Sequence, residues 1–326
     1  MNRSPELPEL PDLPELPELP EEELPPGRHR LLKEHLMSEI RQDDSAPAPA
    51  TRGKWLRPAL AAAAVATAAV VTVVLLPSSG DGGTSTRPPS RATVALLEDI
   101  ALAAEHQDGY GDIRDDQFVY VDSKVSWAQY EEGEKTKIPP LHRLETWHSV
   151  DGTRVGLVRE TGRGQWKTET DPRPGQAGYE VSTNYRHLAT LPTDPDEMYD
   201  WLRETAPKYS GQETNQAMFV LVNDLIRDAI VPPEQSAALY RAVARIPGVT
   251  VVENAVDAAG RKGVAITRDD PDNPTRDEWI FDKETHEFLG ERSVATEDYS
   301  DVKEGTVTSN TAVLHRAVVD EAGQRP

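Results

Sequence analysis

The chain has 326 residues, a net charge of −21 and no cysteine. The charge argues against direct nucleic-acid binding, which needs a basic footprint. The missing thiols exclude disulfides, Cys-ligated zinc, iron–sulfur clusters and cysteine nucleophiles.

The first segment, 1–57, opens on "ELPELPDLPELPELP" over 6–20, five acid-Leu-Pro triplets. A Pro at every third position removes the N–H donors that a helix needs. In polyproline II, with three residues per turn, Leu7, Leu10, Leu13, Leu16 and Leu19 fall on one stripe. We read the repeat as a stiff acidic spacer in a mostly disordered arm. Over 28–41, "RHRLLKEHLMSEIR" places Leu31, Leu32, His35, Leu36 and Ile40 on one side at helical spacing. A helix this short is marginal alone in water. Its apolar stripe is therefore expected to dock a partner.

The run "ALAAAAVATAAVVTVVLL" over 59–76 carries no charge. As a helix rising about 1.5 Å per residue it spans about 27 Å, close to a hydrocarbon core. Arg52, Lys54 and Arg57 precede it, with Trp55 as an interface aromatic, and "PSSGDGG" follows. This asymmetry predicts one transmembrane helix over 58–77, with the N-terminus cytoplasmic and the rest outside the cell membrane. Fifty-eight residues come before the run, which is unlike a signal peptide.

A flexible linker is expected over 78–91 and a globular domain over 92–326. The arm holds twelve of the 56 acids and eight of the 35 bases, which leaves −17 on the remainder. "ATVALLEDIALAAEHQ" predicts a helix with Val94, Leu97, Ile100, Ala101 and Ala104 inward. "QFVYVDSKVSW" alternates as a strand. "LHRLETWHSVDGTRVGLVRET" predicts a hairpin turning on Asp151 and Gly152. Residues 162–190 read as a polar loop with one weak strand. Three helices follow. The first starts where Asp194 caps, Pro195 takes the first helical position and Glu197 completes a capping box, with Met198, Trp201 and Leu202 inward. The others are "NQAMFVLVNDLIRDAI" and "PPEQSAALYRAVARIPG". Two hairpins turning near Gly260 and over 282–285, then the strand "TAVLHRAVV", close the chain. Helices between hairpin-linked strands predict an α+β fold, a curved antiparallel sheet with helices packed on one face.

Chemical motifs are missing. There is no G-x-S-x-G, H-E-x-x-H or phosphate-binding glycine loop, and the histidines His106, His142, His148, His187, His286 and His315 are scattered. The acidic stretch "TRDDPDNPTRDE" lacks the calcium-loop register. We expect no enzyme activity, no cofactor and no metal. Trp127, Trp147, Trp166, Trp201 and Trp279 either fill the core or line an apolar cavity for lipid or envelope material.

The combination of "LPTDPDEMYDWL", "AALYRAVARIPGV", "DAAGRKGVAI" and "WIFDKETHEFLGE" resembles a family of actinobacterial single-pass membrane proteins associated with extracytoplasmic-function sigma factors. The resemblance covers about residues 25–320 and implies an anti-sigma-like role without catalytic residues. The outer domain also resembles the LolA-like half-barrel of periplasmic stress sensors and lipoprotein carriers. Zinc-containing anti-sigma domains pair a His with C-x-x-C, and a chain without Cys cannot belong to that class. A sigma factor would have to be bound by the short helix over 28–41, folding on contact.

Overall fold

The computed structural model describes residues 86–107, 109–131, 134–206 and 212–326. The acid-Leu-Pro repeat, the docking stripe Leu31, Leu32, His35, Leu36 and Ile40, the flank Arg52, Lys54, Trp55 and Arg57, and the apolar run over 59–76 all lie outside them. Among the described residues no helix is long and apolar enough to cross a membrane.

The described part is α+β. Helix α1 (Arg91–Glu105) starts where the Ser90 hydroxyl accepts from the Thr93 N–H. Its buried face is Thr93, Leu97, Ile100 and Ala101. That corrects the expected stripe, because the true row runs i, i+4, i+7, i+8 from Thr93 and leaves Val94 exposed. Strands β1 (Phe118–Trp127), β2 (His142–Ser149), β3 (Leu157–Glu160) and β4 (Gly164–Lys167) follow. Asp151 and Gly152 sit in the β2–β3 connection, but it runs over 150–156 and is no two-residue turn, since Leu157 pairs with Trp147. Asp151 accepts from the Thr153 N–H and holds that loop closed.

After a short helix α2 (Tyr185–Leu188) come α3 (Pro195–Thr205), α4 (Thr214–Arg227) and α5 (Pro233–Val243). Asp194 caps α3 as its sequence requires, accepting from the Asp196 and Glu197 N–H groups. Met198 and Leu202 are buried there, while Trp201 is half-buried. Strands β5 (Thr250–Val256), β6 (Lys262–Asp269), β7 (Thr275–Phe281), β8 (Phe288–Ala295) and β9 (Val307–Val319) complete the order.

Among the described residues nine strands form one antiparallel sheet, ordered β4-β3-β2-β1-β9-β8-β7-β6-β5. The β1–β9 pairing joins the first meander to the second. Register shifts at Asp122/Ser123, Val252/Ala255, Ile280/Phe281 and Ser293/Val294 bend the strands, as curvature requires. Helices cover one face of the sheet. Val119, Val121, Val264, Ile266, Trp279, Phe281 and Val313 point into the core that Leu97, Met198, Phe219, Leu225 and Leu239 fill from the helices. The opposite face holds two small clusters, Phe118, Tyr120, Trp147 and Val319 in one and Ala255, Ala265, Ile280 and Leu289 in the other.

Candidate functional site

Two clefts flank helix α1. The larger, about 660 Å³, lies at its start, where Arg87, Pro88 and Ser90 lead into the helix. The wall opposite is the edge strand β5 with Val249, Thr250, Val251 and Glu253, floored by Leu96 and Val264. Lys283 and His286, from the β7–β8 turn, close one side. This foot cleft is built because Gly248 donates to the Arg87 carbonyl at 2.8 Å, tying the helix entry to the chain that opens β5. Lys283 Nζ also donates to Asn254 Oδ1 at 3.2 Å. The result is an apolar trough with Arg87 and Lys283 on its walls and Glu253 as its acid.

The second cleft, about 330 Å³, lies at the other end of α1. Ala103, Ala104 and Gln107 form one wall, Ile226 at the end of α4 with Ala229 and Ile230 of the α4–α5 connection another, and the turn residues Thr285, His286 and Glu287 a third. Arg316 of β9 and Tyr240 of α5 reach it from below. Arg316 Nη2 donates to the carbonyls of Ile226 at 2.6 Å and Arg227 at 3.2 Å, the end of α4. Its guanidinium also lies over the Phe288 ring, 5.6 Å from the centroid, close enough for a cation–π attraction. Burial holds the Arg316 pKa below the usual arginine range. Burial likewise pushes the Tyr240 phenol up to about 12, so it stays neutral.

His286 lines both clefts. Its backbone is left-handed, with φ 57°, a conformation rare outside glycine. Between the clefts, α1 is clamped to α5 by Arg241, which pairs with Glu98 at 2.9 Å and Glu105 at 3.1 Å.

The aromatics named from the sequence line neither cleft. Trp147 and Trp279 are fully buried, and Trp279 stacks on Phe219 with centroids 3.9 Å apart at 12°. Trp127, Trp166 and Trp201 are half-buried elsewhere. Of the histidines, His142 pairs with Glu160 at 2.8 Å, and His187 is buried with its pKa lowered by burial. Among the described residues no group of three His, Asp or Glu side chains could hold a metal.

Sequence reasoning missed Arg316 and the basic wall of the foot cleft. The signal for Arg316 was a charge inside an apolar strand, "TAVLHRAVV". Neither a scan of protein-family models nor a search of curated proteins finds a match to this chain.

Proposed function

We propose that the chain is a single-pass membrane sensor with an anti-sigma-like role. Its extracytoplasmic domain, a LolA-like half-barrel, receives an envelope ligand. Its cytoplasmic helix over 28–41 docks a sigma factor through Leu31, Leu32, His35, Leu36 and Ile40. The supporting observation is the position of the foot cleft. Arg87, Pro88 and Ser90 form part of its wall, and through them the linker enters α1. A ligand there touches the segment that leads back to the apolar run over 59–76. Occupancy thus has a short covalent path toward the span.

The test is affinity purification of the full chain from its own cells. A sigma factor is expected to co-purify and to be lost with Leu32→Asp plus Leu36→Asp. Recovery of no sigma factor, or recovery indifferent to those changes, overturns the signalling role. A second reading, a membrane-anchored lipid or lipoprotein binding module without signalling, draws on the cleft's chemistry. Leu96, Val249, Val251 and Val264 offer an apolar wall beside the cations Arg87 and Lys283. That pairing suits an amphiphile with an anionic head. Lipid in an organic extract of the purified chain, without a sigma factor, would favour this second reading.

A further inference from the structure

Arginines packed between the helices and the sheet follow one rule, with one exception. Arg227 pairs with Glu291 at 3.0 Å and Asp228 at 2.7 Å. Arg268 pairs with Glu213 at 2.8 Å. Each cation is answered by a carboxylate, as burial of a charge demands. Arg316 is not. Among the described residues no carboxylate forms an ion pair with it; its protein hydrogen bonds use Nη2 alone, and its Nε is buried with no partner. The two carbonyls it caps are dipoles, and they answer a full charge only in part. This cation, without a direct ion pair, lines a cavity of about 330 Å³, at the small end of ligand-sized pockets.

We propose that this second cleft binds a small organic oxyanion, a carboxylate or a phosphate monoester, whose charge pairs with the Arg316 guanidinium. Ser236, Tyr240 and Gln107 supply hydrogen-bonding groups for a polar body, and Ala104 and Ile230 an apolar side. Volume excludes a long acyl chain, so the ligand class differs from an amphiphile in the foot cleft. Two acids shape the selectivity. Asp228 is held by Arg227 at 2.7 Å, which leaves Glu287 as the like charge at the cleft. It disfavours multiply charged anions. The site stands on Arg316 and its cavity, and does not rest on the sensor reading.

The experiment is calorimetric titration of the purified full chain in detergent with sodium hexanoate and, separately, with glycerol phosphate. Hexanol and glycerol are the neutral controls. One of the two anions is expected to bind at one site with a Kd of about 1 mM or tighter, and its control not to bind. Which anion binds distinguishes the two head groups. Glu287→Gln removes the opposing charge and is expected to tighten binding by about threefold. Arg316→Gln is expected to weaken it by roughly tenfold or more. Neither anion binding above its control overturns the proposal, and so does binding that Glu287→Gln leaves unchanged. If Arg316→Gln does not fold, because α4 loses its cap, Glu287→Gln decides alone. A lost sigma-factor interaction would leave these titrations unaffected, so the two readings fail separately.

Discussion

Two carboxylates, one on each face of the sheet, ionise in opposite ways. On the open face, Glu145 receives Arg325 at 2.6 Å through two oxygens and the Tyr120 hydroxyl at 2.9 Å, with Arg143 at 3.4 Å. Burial alone would raise its pKa, but these donors outweigh it and hold it at about 2. Glu278, on the same face, is bracketed by Arg276 and Arg292, each at 2.7 Å. On the helix face, Asp277 receives only the Gln216 amide at 2.8 Å and the Ser293 hydroxyl, with Glu291 and Asp270 as neighbouring acids. Burial wins there, and its pKa rises to about 7. Ionisation at these two acids is set by the balance between burial, which is deeper at Asp277, and the cations and donors within reach, which are more numerous at Glu145.

The faces differ in packing too, and the largest expected effect breaks that difference. The open face is lined by small residues where β8 meets β9. Gly290 lies opposite Ala312, and a Cβ there would sit 2.0 Å from the Thr311 carbonyl oxygen and 2.9 Å from the Ala312 Cα. Both are backbone, so Gly290→Ala must push the strands apart. It is expected to cost about 3 kcal/mol in urea unfolding of the full chain. Gly162→Ala, in the β3–β4 turn, meets nothing within 4 Å and bears only a left-handed φ of +89°. Its cost should be about 1 kcal/mol. Equal losses at the two sites would refute tight packing on the open face.

A smaller effect tests the paired carboxylate. Glu145 is depressed below its ordinary value of 4.5, so its contribution is fully present above that pH and is lost as pH falls toward 2. Glu145→Gln is therefore expected to destabilise the chain by about 2 kcal/mol at pH 7, a figure kept low because Arg143 and Arg325 are partly in solvent. The deficit should shrink as pH drops below 4.5. A deficit that holds constant down to acid would mean that Glu145 acts by packing and not by charge.

Much of the scaffold was legible because local chemistry forces it. Asp194, Pro195 and Glu197 specify a helix start wherever they occur together, and the start falls on Pro195. The two closing hairpins, β5–β6 and β7–β8, were legible for the same reason, from turn residues between apolar strands. Arg316 was not legible, and the cause is one extra residue. Val313 pairs with Ser123 and His315 with Asp122, so Leu314 bulges out of the β1–β9 ladder. Simple alternation from Val313 would turn His315 inward and Arg316 outward. The bulge reverses this and sends Arg316 into the second cleft. The foot cleft was hidden differently, because Arg87, Val251 and Lys283 come together only through pairings distant in sequence.

The subtlest test reverses the sign of the Glu145 experiment on the other face. Asp277 in the fold holds its proton up to about pH 7, while the unfolded chain releases it near the ordinary value of 3.8. Between those values the folded state binds more protons, so stability falls as pH rises. Above 7 the cost is complete, and below about 4 it is gone. Asp277→Asn keeps an oxygen for the Gln216 amide and carries no charge at any pH. It is expected to be more stable than the parent by about 1 kcal/mol at pH 8, discounted from the full shift for relaxation around the site. That advantage should fade by pH 5 and vanish near 4, measured by urea unfolding at each pH. Glu145→Gln loses most where Asp277→Asn gains most, so one pH series on the two variants separates the two faces. An advantage for Asp277→Asn that is flat with pH would mean that burial does not raise the acid's pKa in the fold.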